Sequence, residues 1–471
     1  MQSTYLITAK SYSEKQVGII FFVFGMSQFL FQAPAGYLMD YSDKKVFLLG
    51  GSSIATTLLT LATAVFAKDN GGNFGIMIFF KILQGAFTAL IPPGLNSITQ
   101  GIVGPTGMTL QVSHNEMMHH LGTAIFVVLA SLVAFAIYPH VEFLFVVSPV
   151  ACIGLVYHLA RIRSTDIDHQ AARGFSVNRN SSIYDSYSFD EESLKYLPSF
   201  NLGFAKSISF DANHSGRRNR LLEANTPLQI VKDSTILVFV IICFTFHLSN
   251  GTILPLVMQT LAIGNGRAGL LMSGFSIAVA QIFMEFSAEM CGKYADEHGR
   301  KKIFIVGLLS VPARCAILTC ALTNEDQISW ILLHIIILST QVLDGIGAGI
   351  FGTMYVLVTS DVSFGTGRFS LTLGLTTAAV SIGATISGYL GQALAADIGY
   401  SETFLVMGCI SMIPALAYHF FMPETAPEKQ RSSLSTISSF YANHRNDHIE
   451  FNKEDVEEKT LDESIDEYDL L

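Results

Sequence analysis

The chain has 471 residues, of which 50% are hydrophobic and only 14% are charged, and its mean hydropathy is +0.44. Soluble globular proteins carry about 25% charged residues, so this composition excludes an ordinary soluble protein. It predicts an all-α polytopic membrane protein whose partner is the lipid bilayer. The net charge is −10, and residues 423–471 contribute −8 of it with 13 acidic and 5 basic residues. The acidity therefore belongs to a solvated tail, and no nucleic-acid partner is expected.

Eleven apolar runs follow along the chain, each close to the roughly 20 residues that a helix needs to cross a bilayer core about 30 Å thick. Five of them fall within residues 1–160 and six within residues 234–422, which predicts an N-terminal and a C-terminal transmembrane bundle. The predicted spans are 17–39, 46–66, 74–98, 117–138, 141–160, 234–259, 269–294, 303–322, 330–358, 370–395 and 403–422.

Two polar segments separate and follow the bundles. Residues 161–233 are rich in Ser, Asn, Arg and Tyr and show no sustained apolar period, which predicts a mostly disordered linker. Residues 423–471 form the acidic tail, and residues 466–471 fit both an acidic dileucine and a tyrosine-based sorting signal. We therefore expect sorting adaptors as partners of the tail. We also expect a plasma-membrane location, with an endosomal or vacuolar membrane as the alternative.

Basic residues cluster in the loops on one side of the predicted spans. Short loops rich in Lys and Arg lie in the cytoplasm according to the positive-inside rule. If the spans alternate, the linker and the tail share that side, so both are predicted to be cytoplasmic. The basic residues concerned are Lys44, Lys45, Arg161, Arg163, Arg300, Lys301, Lys302 and Arg368.

One loop pattern occurs twice, 256 residues apart, and indicates an internal repeat. Both copies read Gly-x-x-x-Asp, then a short turn, then basic residues. A second pair of motifs, Gln84-Gly85 and Asp344-Gly345, recurs at an offset of 260 residues. Internal repeats of this kind are typical of transporters. The residues of the two loop copies are Gly36, Asp40, Lys44, Lys45, Gly292, Asp296, Arg300 and Lys301.

The repeat also predicts that the two bundles are unequal. The sixth span, 234–259, has no counterpart in the first bundle, because a shift by 256 residues would place it before Met1. We interpret the chain as lacking the first helix of a twelve-helix protein, through a misplaced start codon or a truncated gene model. A genuine eleven-span protein is the alternative.

The repeated loop resembles the signature Gly-x-Leu-Ala-Asp-Arg-x-Gly-Arg-Arg/Lys of the major facilitator superfamily. Residues 292–302 match it well, with Glu297 in the place of an arginine, and residues 36–45 match it more loosely. Lys81-Ile-Leu-Gln84-Gly85 is similar to the family's Arg-x-x-Gln-Gly motif. The resemblance covers roughly residues 4–160 and 234–425. It implies a fold of two pseudo-symmetric six-helix bundles, and a secondary active transporter that moves a small solute by alternating access.

The loop copies are predicted to form a gate. Asp40 and Asp296 lie at helix ends, where a carboxylate can bind free backbone N–H groups or the basic residues after the turn. Such a cluster can hold one conformation shut and release it in another. The alternative interpretation is that the basic residues only anchor the loops on the cytoplasmic side.

Polar side chains within spans are expensive and mark candidate solute and proton pathways. Asp344 or Glu285 is expected to bind and release a proton as the cavity changes sides. A static pair with Arg314 is the alternative for Glu285, and a packing role is the alternative for His247. The predicted pathway residues are Lys81, Gln84, His247, Asn250, Gln281, Glu285 and Asp344.

A second resemblance concerns the direction of transport, which no residue pattern in the chain decides. Residues 246–250 and 365–369 are similar to a bacterial and fungal subgroup of efflux permeases, which favours a proton-coupled antiporter. Proton-coupled uptake, or a non-transporting sensor or scaffold, are the alternatives. The chain has no nucleophile elbow, phosphate loop or metal motif, so no enzyme, cofactor or metal site is predicted. The polar residues 114–120 are interpreted as the cytoplasmic start of the fourth span.

Overall fold

The computed structural model describes residues 6, 10–137, 145–175, 224–262 and 266–426. Within those ranges the long elements are all α-helices, as the apolar runs predict. The sorting signal, most of the tail and the middle of the linker lie outside the described residues. Both ends of the linker form short helices, Ser164–Asp166, His169–Ala172 and Pro227–Lys232, so the prediction of a disordered linker is wrong there.

The helices of the N-terminal bundle are α1 (Glu14–Tyr41), α2 (Lys45–Phe66), α3 (Phe74–Thr88), α4 (Ile91–Ile137) and α5 (Val147–Leu159), followed by the linker helices α6 (His169–Ala172) and α7 (Pro227–Lys232). The C-terminal bundle consists of α8 (Ser234–Asn250), α9 (Ile253–Ala262), α10 (Gly266–His298), α11 (Arg300–Thr323), α12 (Trp330–Ser339), α13 (Gln341–Ser363), α14 (Phe369–Ile398) and α15 (Tyr400–Phe421). In the described part of the chain, nine helical stretches are long and apolar enough to cross a membrane. Helices α5 and α10 occupy the positions of the other two predicted spans.

Helix α4 bends sharply at Gly104, where φ is 72° and ψ is 172°. Glycine adopts this conformation without the steric penalty of a Cβ, and Pro105 next to it lacks a backbone donor. A membrane-length helix therefore begins at Gly107, and the prediction that the fourth span begins at residue 117 is wrong. Residues 114–120 consequently lie inside the span and not at its polar start.

Two helix pairs join the bundles. Helix α1 packs along α14 in what we call the first seam, and the part of α4 after Gly104 packs along α10 in the second seam. A Cβ at Gly36 would overlap the carbonyl oxygen of Ser370, and a Cβ at Gly292 would overlap the side chain of Ser113. The glycine that opens each loop copy therefore permits close helix approach across its own seam.

The outer surface of the bundles is apolar, while many polar side chains are buried inside. Exposed large apolar residues are expected on a surface that contacts lipid, because water would penalise a patch of this extent. Examples from both bundles are Phe22, Phe47, Leu58, Ile153, Tyr389 and Phe420.

Candidate functional site

Asp40 connects the bundles at the end of the molecule that carries the basic loops, which we call the basic end. Its buried carboxylate accepts hydrogen bonds from the backbone N–H groups of Ser370 (2.9 Å) and Leu371 (2.8 Å). Both groups lie in the first turn of α14, where N–H groups lack helical partners and the helix dipole favours an anion. Lys45 is buried and donates to a backbone carbonyl of α1, while Lys44 is exposed at the start of α2.

Asp296 makes the corresponding contact across the second seam, but through side chains. Its Oδ1 accepts hydrogen bonds from Oγ1 of Thr109 on α4 (2.8 Å) and from Nη1 of Arg300 (2.8 Å). Arg300 also donates to Thr109 (2.8 Å) and to Asp361 (3.1 Å). One buried guanidinium therefore joins two carboxylates of the C-terminal bundle to a threonine of the N-terminal bundle.

Glu424 supports this cluster at the start of α11. Its carboxylate accepts hydrogen bonds from the backbone N–H groups of Arg300 (2.7 Å) and Lys301 (3.2 Å). Lys301 also donates from Nζ to the carbonyl oxygen of Met422 (2.8 Å). Glu424 was predicted to belong to the solvated tail, whereas its carboxylate binds the start of α11 in the second copy of the repeated loop.

Residues 168–175, at the start of the linker, contact both bundles, and we call them the linker bridge. On the N-terminal side, the N–H of Asp168 donates to the carbonyl oxygen of Gly101 (2.8 Å). On the same side, Arg173 donates a hydrogen bond to the carboxylate of Asp43 (3.3 Å), whose side chain is 69% exposed. This side of the linker bridge is anchored beside the loop that contains Asp40.

On the C-terminal side, the linker bridge binds the turn between α13 and α14. The carbonyl oxygen of Gly174 accepts a hydrogen bond from the N–H of Gly365 (2.8 Å), and that of Arg173 accepts one from the N–H of Phe369 (3.1 Å). The first N–H groups of α14 are therefore divided between Asp40 and the linker bridge. Neither contact could be predicted from the sequence, because both use backbone atoms of irregular segments.

Gly367→Val is expected to detach the linker bridge from the turn. Gly367 has φ of +68°, and a Cβ there would overlap the ring of Phe175. A left-handed conformation costs a non-glycine residue about 1–2 kcal/mol, so hydrogen-exchange protection of the Gly365 and Phe369 amides should fall about tenfold. The control is Gly388→Ala, because a Cβ there meets open space. Unchanged protection in Gly367→Val would contradict the bridge.

Lys81 and Gln84 form a buried polar chain inside the N-terminal bundle. Lys81 donates to Gln84 (2.7 Å), which in turn donates to Thr60 on α2 (2.9 Å). The ammonium group also lies 5.3 Å and 5.7 Å from the ring centroids of Phe21 and Phe24, within the range of a cation–π interaction. The structure thus brings these two predicted pathway residues together.

Arg314 and Asp344 form a buried ion pair inside the C-terminal bundle. The two side chains are 1% and 5% exposed, and Nη1 lies 2.5 Å from Oδ1. Arg314 also donates to Gln341 (3.0 Å). The alternative that Arg314 pairs with Glu285 is therefore wrong. Asp344 lies in the first turn of α13, just after a break in the predicted span at Thr340.

His247 and Asn250 lie at the end of α8, where the helix breaks before α9. Phe246 stacks on Phe351 at 4.2 Å, and the His247 ring meets Phe351 edge-on at 4.8 Å. This environment matches the packing alternative for His247. The side-chain oxygen of Asn250 is buried, and no described residue hydrogen bonds to it.

Gln281 lies in the second seam opposite His120, which the sequence pattern placed at the cytoplasmic start of the fourth span. Its Oε1 is 2.7 Å from Nδ1 of His120, and Nε2 of His120 is 3.7 Å from Oε2 of Glu116. Glu285 is half-buried one turn further along α10. Over the described ranges, no group of three His, Cys, Asp or Glu side chains is arranged to hold a metal ion.

Comparison with known proteins identifies the family. The model of the Major Facilitator Superfamily matches residues 1–363 and 235–445. The chain belongs to the Major Facilitator Superfamily. Two MFS-type transporters of Mycobacterium tuberculosis, MT2531 and Rv2456c, are each 29% identical to it over 429 residues, which is 91% of this chain and 90% of theirs. The chain is therefore a transporter and not an enzyme, as predicted.

Solved structures of the superfamily confirm the fold. The proton:xylose symporter XylE bound to 6-bromo-6-deoxy-D-glucose has a TM-score of 0.61 at 12% identity, and the match covers 90% of this chain and 91% of that one. XylE of E. coli in a partially occluded inward-open conformation has a TM-score of 0.56 at 13% identity, covering 90% and 95%. The predicted all-α, polytopic fold of this superfamily is thus confirmed.

Proposed function

We propose that this superfamily member is a secondary active transporter that exports a small solute in exchange for protons by alternating access. It is proposed to act in the plasma membrane, with the basic end, the linker and the tail in the cytoplasm. The concentration of Lys and Arg at the basic end supports this orientation. The acidic tail is proposed to bind sorting adaptors.

The paired contacts of Asp40 and Asp296 carry the proposal of alternating access. Each lies 256 residues from its counterpart and binds a helix of the opposite bundle at the basic end. Both contacts consist of hydrogen bonds to an ionised group, which are strong when dry and exchange readily for water when the seam opens. Such contacts suit a gate better than an apolar seam does.

Different observations favour export and uptake as the direction of transport. The resemblance of residues 246–250 and 365–369 to efflux permeases favours proton antiport. The fold neighbour XylE is described as a proton:xylose symporter, which keeps proton-coupled uptake as the second candidate. Titratable groups within the membrane-length helices, such as the half-buried Glu116, support proton coupling in either direction.

The direct test is solute accumulation by the purified protein in liposomes under an imposed pH gradient, across a panel of small solutes. An antiporter accumulates solute in liposomes with an acidic interior, and a symporter does so when the exterior is acidic. Accumulation that ignores the gradient would contradict proton coupling.

Asp296→Asn is expected to slow transport about tenfold, because it replaces a charge-assisted hydrogen-bond network worth about 1.5–3 kcal/mol per bond with neutral contacts. Membrane insertion and helical content should not change. Glu297→Gln is the matched control, because Glu297 is the next residue and its side chain is 68% exposed. Normal transport kinetics in Asp296→Asn would reject the gate.

A further inference from the structure

We propose that Glu116 and His120 share one proton in the second seam, and that Gln281 of the opposite bundle fixes the tautomer of that histidine. This site deepens the proposed function, since it supplies the proton that would couple transport to a gradient. It replaces Asp344, which is already neutralised by Arg314, as the principal proton-binding group.

The site lies within the membrane-length part of α4. His120 is 13 residues after Gly107, hence about 20 Å along the helix by its rise of 1.5 Å per residue. Its side chain is 9% exposed and that of Glu116 is 26% exposed. An ionised carboxylate at this depth is costly without a partner, and His120 is the partner that the structure supplies.

The contacts on the two sides of the imidazole constrain where its protons can reside. Oε1 of Gln281 is an acceptor, so the 2.7 Å contact requires a proton on Nδ1 of His120. A neutral imidazole with its proton on Nδ1 presents a lone pair at Nε2, which faces the carboxyl group of Glu116 at 3.7 Å. The Nε2 lone pair of His120 and the carboxylate of Glu116 are both acceptors and repel each other. Their contact becomes attractive only when a further proton resides on Nε2 or on Glu116.

Loss of that proton affects the contact between the bundles. If the remaining proton stays on Nδ1, the Nε2 lone pair repels the carboxylate. If it moves to Nε2, Nδ1 becomes an acceptor that faces the acceptor oxygen of Gln281, and this amide must rotate to restore a hydrogen bond. Proton release is therefore linked to a rearrangement of a side chain on the opposite bundle, which is the linkage that alternating access requires.

The titratable groups around Glu116 and His120 do not change the assignment of the proton to these two residues. On α4 itself, the ring of His119 lies 5.2 Å from that of His120. On α13, the titratable side chain that faces Glu116 is Tyr355. On α10, Glu285 is the next titratable side chain along the face of Gln281. The contacts that the structure gives to Glu116 and His120 include no lysine or arginine that would neutralise the carboxylate.

Potentiometric titration of the purified full-length protein in detergent tests the site without any solute. Wild type is expected to bind one more proton than Glu116→Gln between about pH 5 and pH 9, because the buried imidazole of His120 stays neutral once the carboxylate beside it is removed. Ordinary glutamates and lysines do not titrate in this range, and the other histidines contribute equally to both proteins. Glu325→Gln is the control, because it removes a carboxylate that is exposed in a loop.

Gln281→Leu provides a second variant that leaves both titrating groups intact. Without the acceptor, His120 is free to place its single proton on Nε2 and bond directly to the carboxylate. The deprotonated state is therefore stabilised relative to the protonated state. The midpoint pH at which the pair releases its proton should fall by about one unit, as expected for the loss of one hydrogen bond.

The outcomes separate this proposal from the transporter proposal. An unchanged proton count in Glu116→Gln, or an unchanged midpoint in Gln281→Leu, would overturn the shared-proton site even if the protein transports solute. A midpoint that moves with sodium concentration would also overturn it, in favour of a metal-cation site. The predicted proton count would stand even if solute transport were not proton driven.

Discussion

Arg314→Met is expected to reduce the free energy of unfolding of the C-terminal bundle by about 3–5 kcal/mol, because it leaves the carboxylate of Asp344 buried without its counter-ion. The guanidinium group is 1% exposed and lies 2.5 Å from the carboxylate. The measurement is thermal denaturation of the purified protein in detergent, together with the yield of monodisperse protein. Asp344→Asn should destabilise in the same direction, since it strands the charge of Arg314.

Two further variants make this prediction specific. The double variant Arg314→Met with Asp344→Leu should recover most of the lost stability, because apolar residues that replace a whole buried pair are close to neutral. Glu289→Gln is the control, because its pair with Lys293 is solvent exposed and such pairs contribute about 0.3–0.5 kcal/mol. If Asp344→Asn keeps full stability yet loses proton dependence of transport, Asp344 belongs to the proton pathway after all.

Asp40→Asn is expected to open the basic end. An asparagine has one acceptor oxygen where the carboxylate has two, so one N–H group at the start of α14 loses its partner, and the helix loses its compensating charge. Together these changes cost about 2–4 kcal/mol, which shifts the balance between closed and open forms at least tenfold. Spin labels at exposed Phe47 on α2 and Val306 on α11, on opposite bundles, should show a longer or broader distance distribution in a cysteine-free background.

Asp43→Asn is the matched control for this experiment. Asp43 lies in the same loop, but its side chain is 69% exposed and its partner Arg173 belongs to the linker bridge. Exposed ion pairs contribute about 0.2–1 kcal/mol, so the label distances should change little. Equal effects of Asp40→Asn and Asp43→Asn would mean that total charge, and not the contact with α14, holds the basic end closed.

The repeat in the sequence predicted where the carboxylates of the two loop copies lie and that they bind backbone N–H groups or basic residues, but not which segments of the opposite bundle they contact. Gly36 and Gly292 also proved to lie at close helix contacts. The partners across the seams come from remote segments: α14 for Asp40, and Thr109 of α4 for Asp296. Arg300, the other partner of Asp296, also binds the remote Asp361. A backbone N–H has no side-chain signature, and a lone threonine is too common to single out, so sequence patterns could not identify either partner.

The interior of the candidate site was predicted less well, for two physical reasons. Polar residues 111–120 lower the local hydropathy, so the fourth span was placed too late and Glu116 and His120 were assigned to the membrane surface. The turn at Gly104 and Pro105 was the signal that would have corrected this. Whether Arg314 pairs with Glu285 or with Asp344 depends on how each helix is rotated about its axis. The position of a residue along its span does not determine this rotation.

The contacts of Asp40 and Asp296 also differ in which substitutions they tolerate over evolutionary time. Asp40 binds main-chain N–H groups, so as far as this contact is concerned, any residue except proline can occupy positions 370 and 371. Asp296 depends on the side chains of Thr109 and Arg300, which can change only together with it. Homologues should therefore show correlated substitutions for the contact of Asp296 but not for the contact of Asp40, although both carboxylates occupy the same position in the repeat.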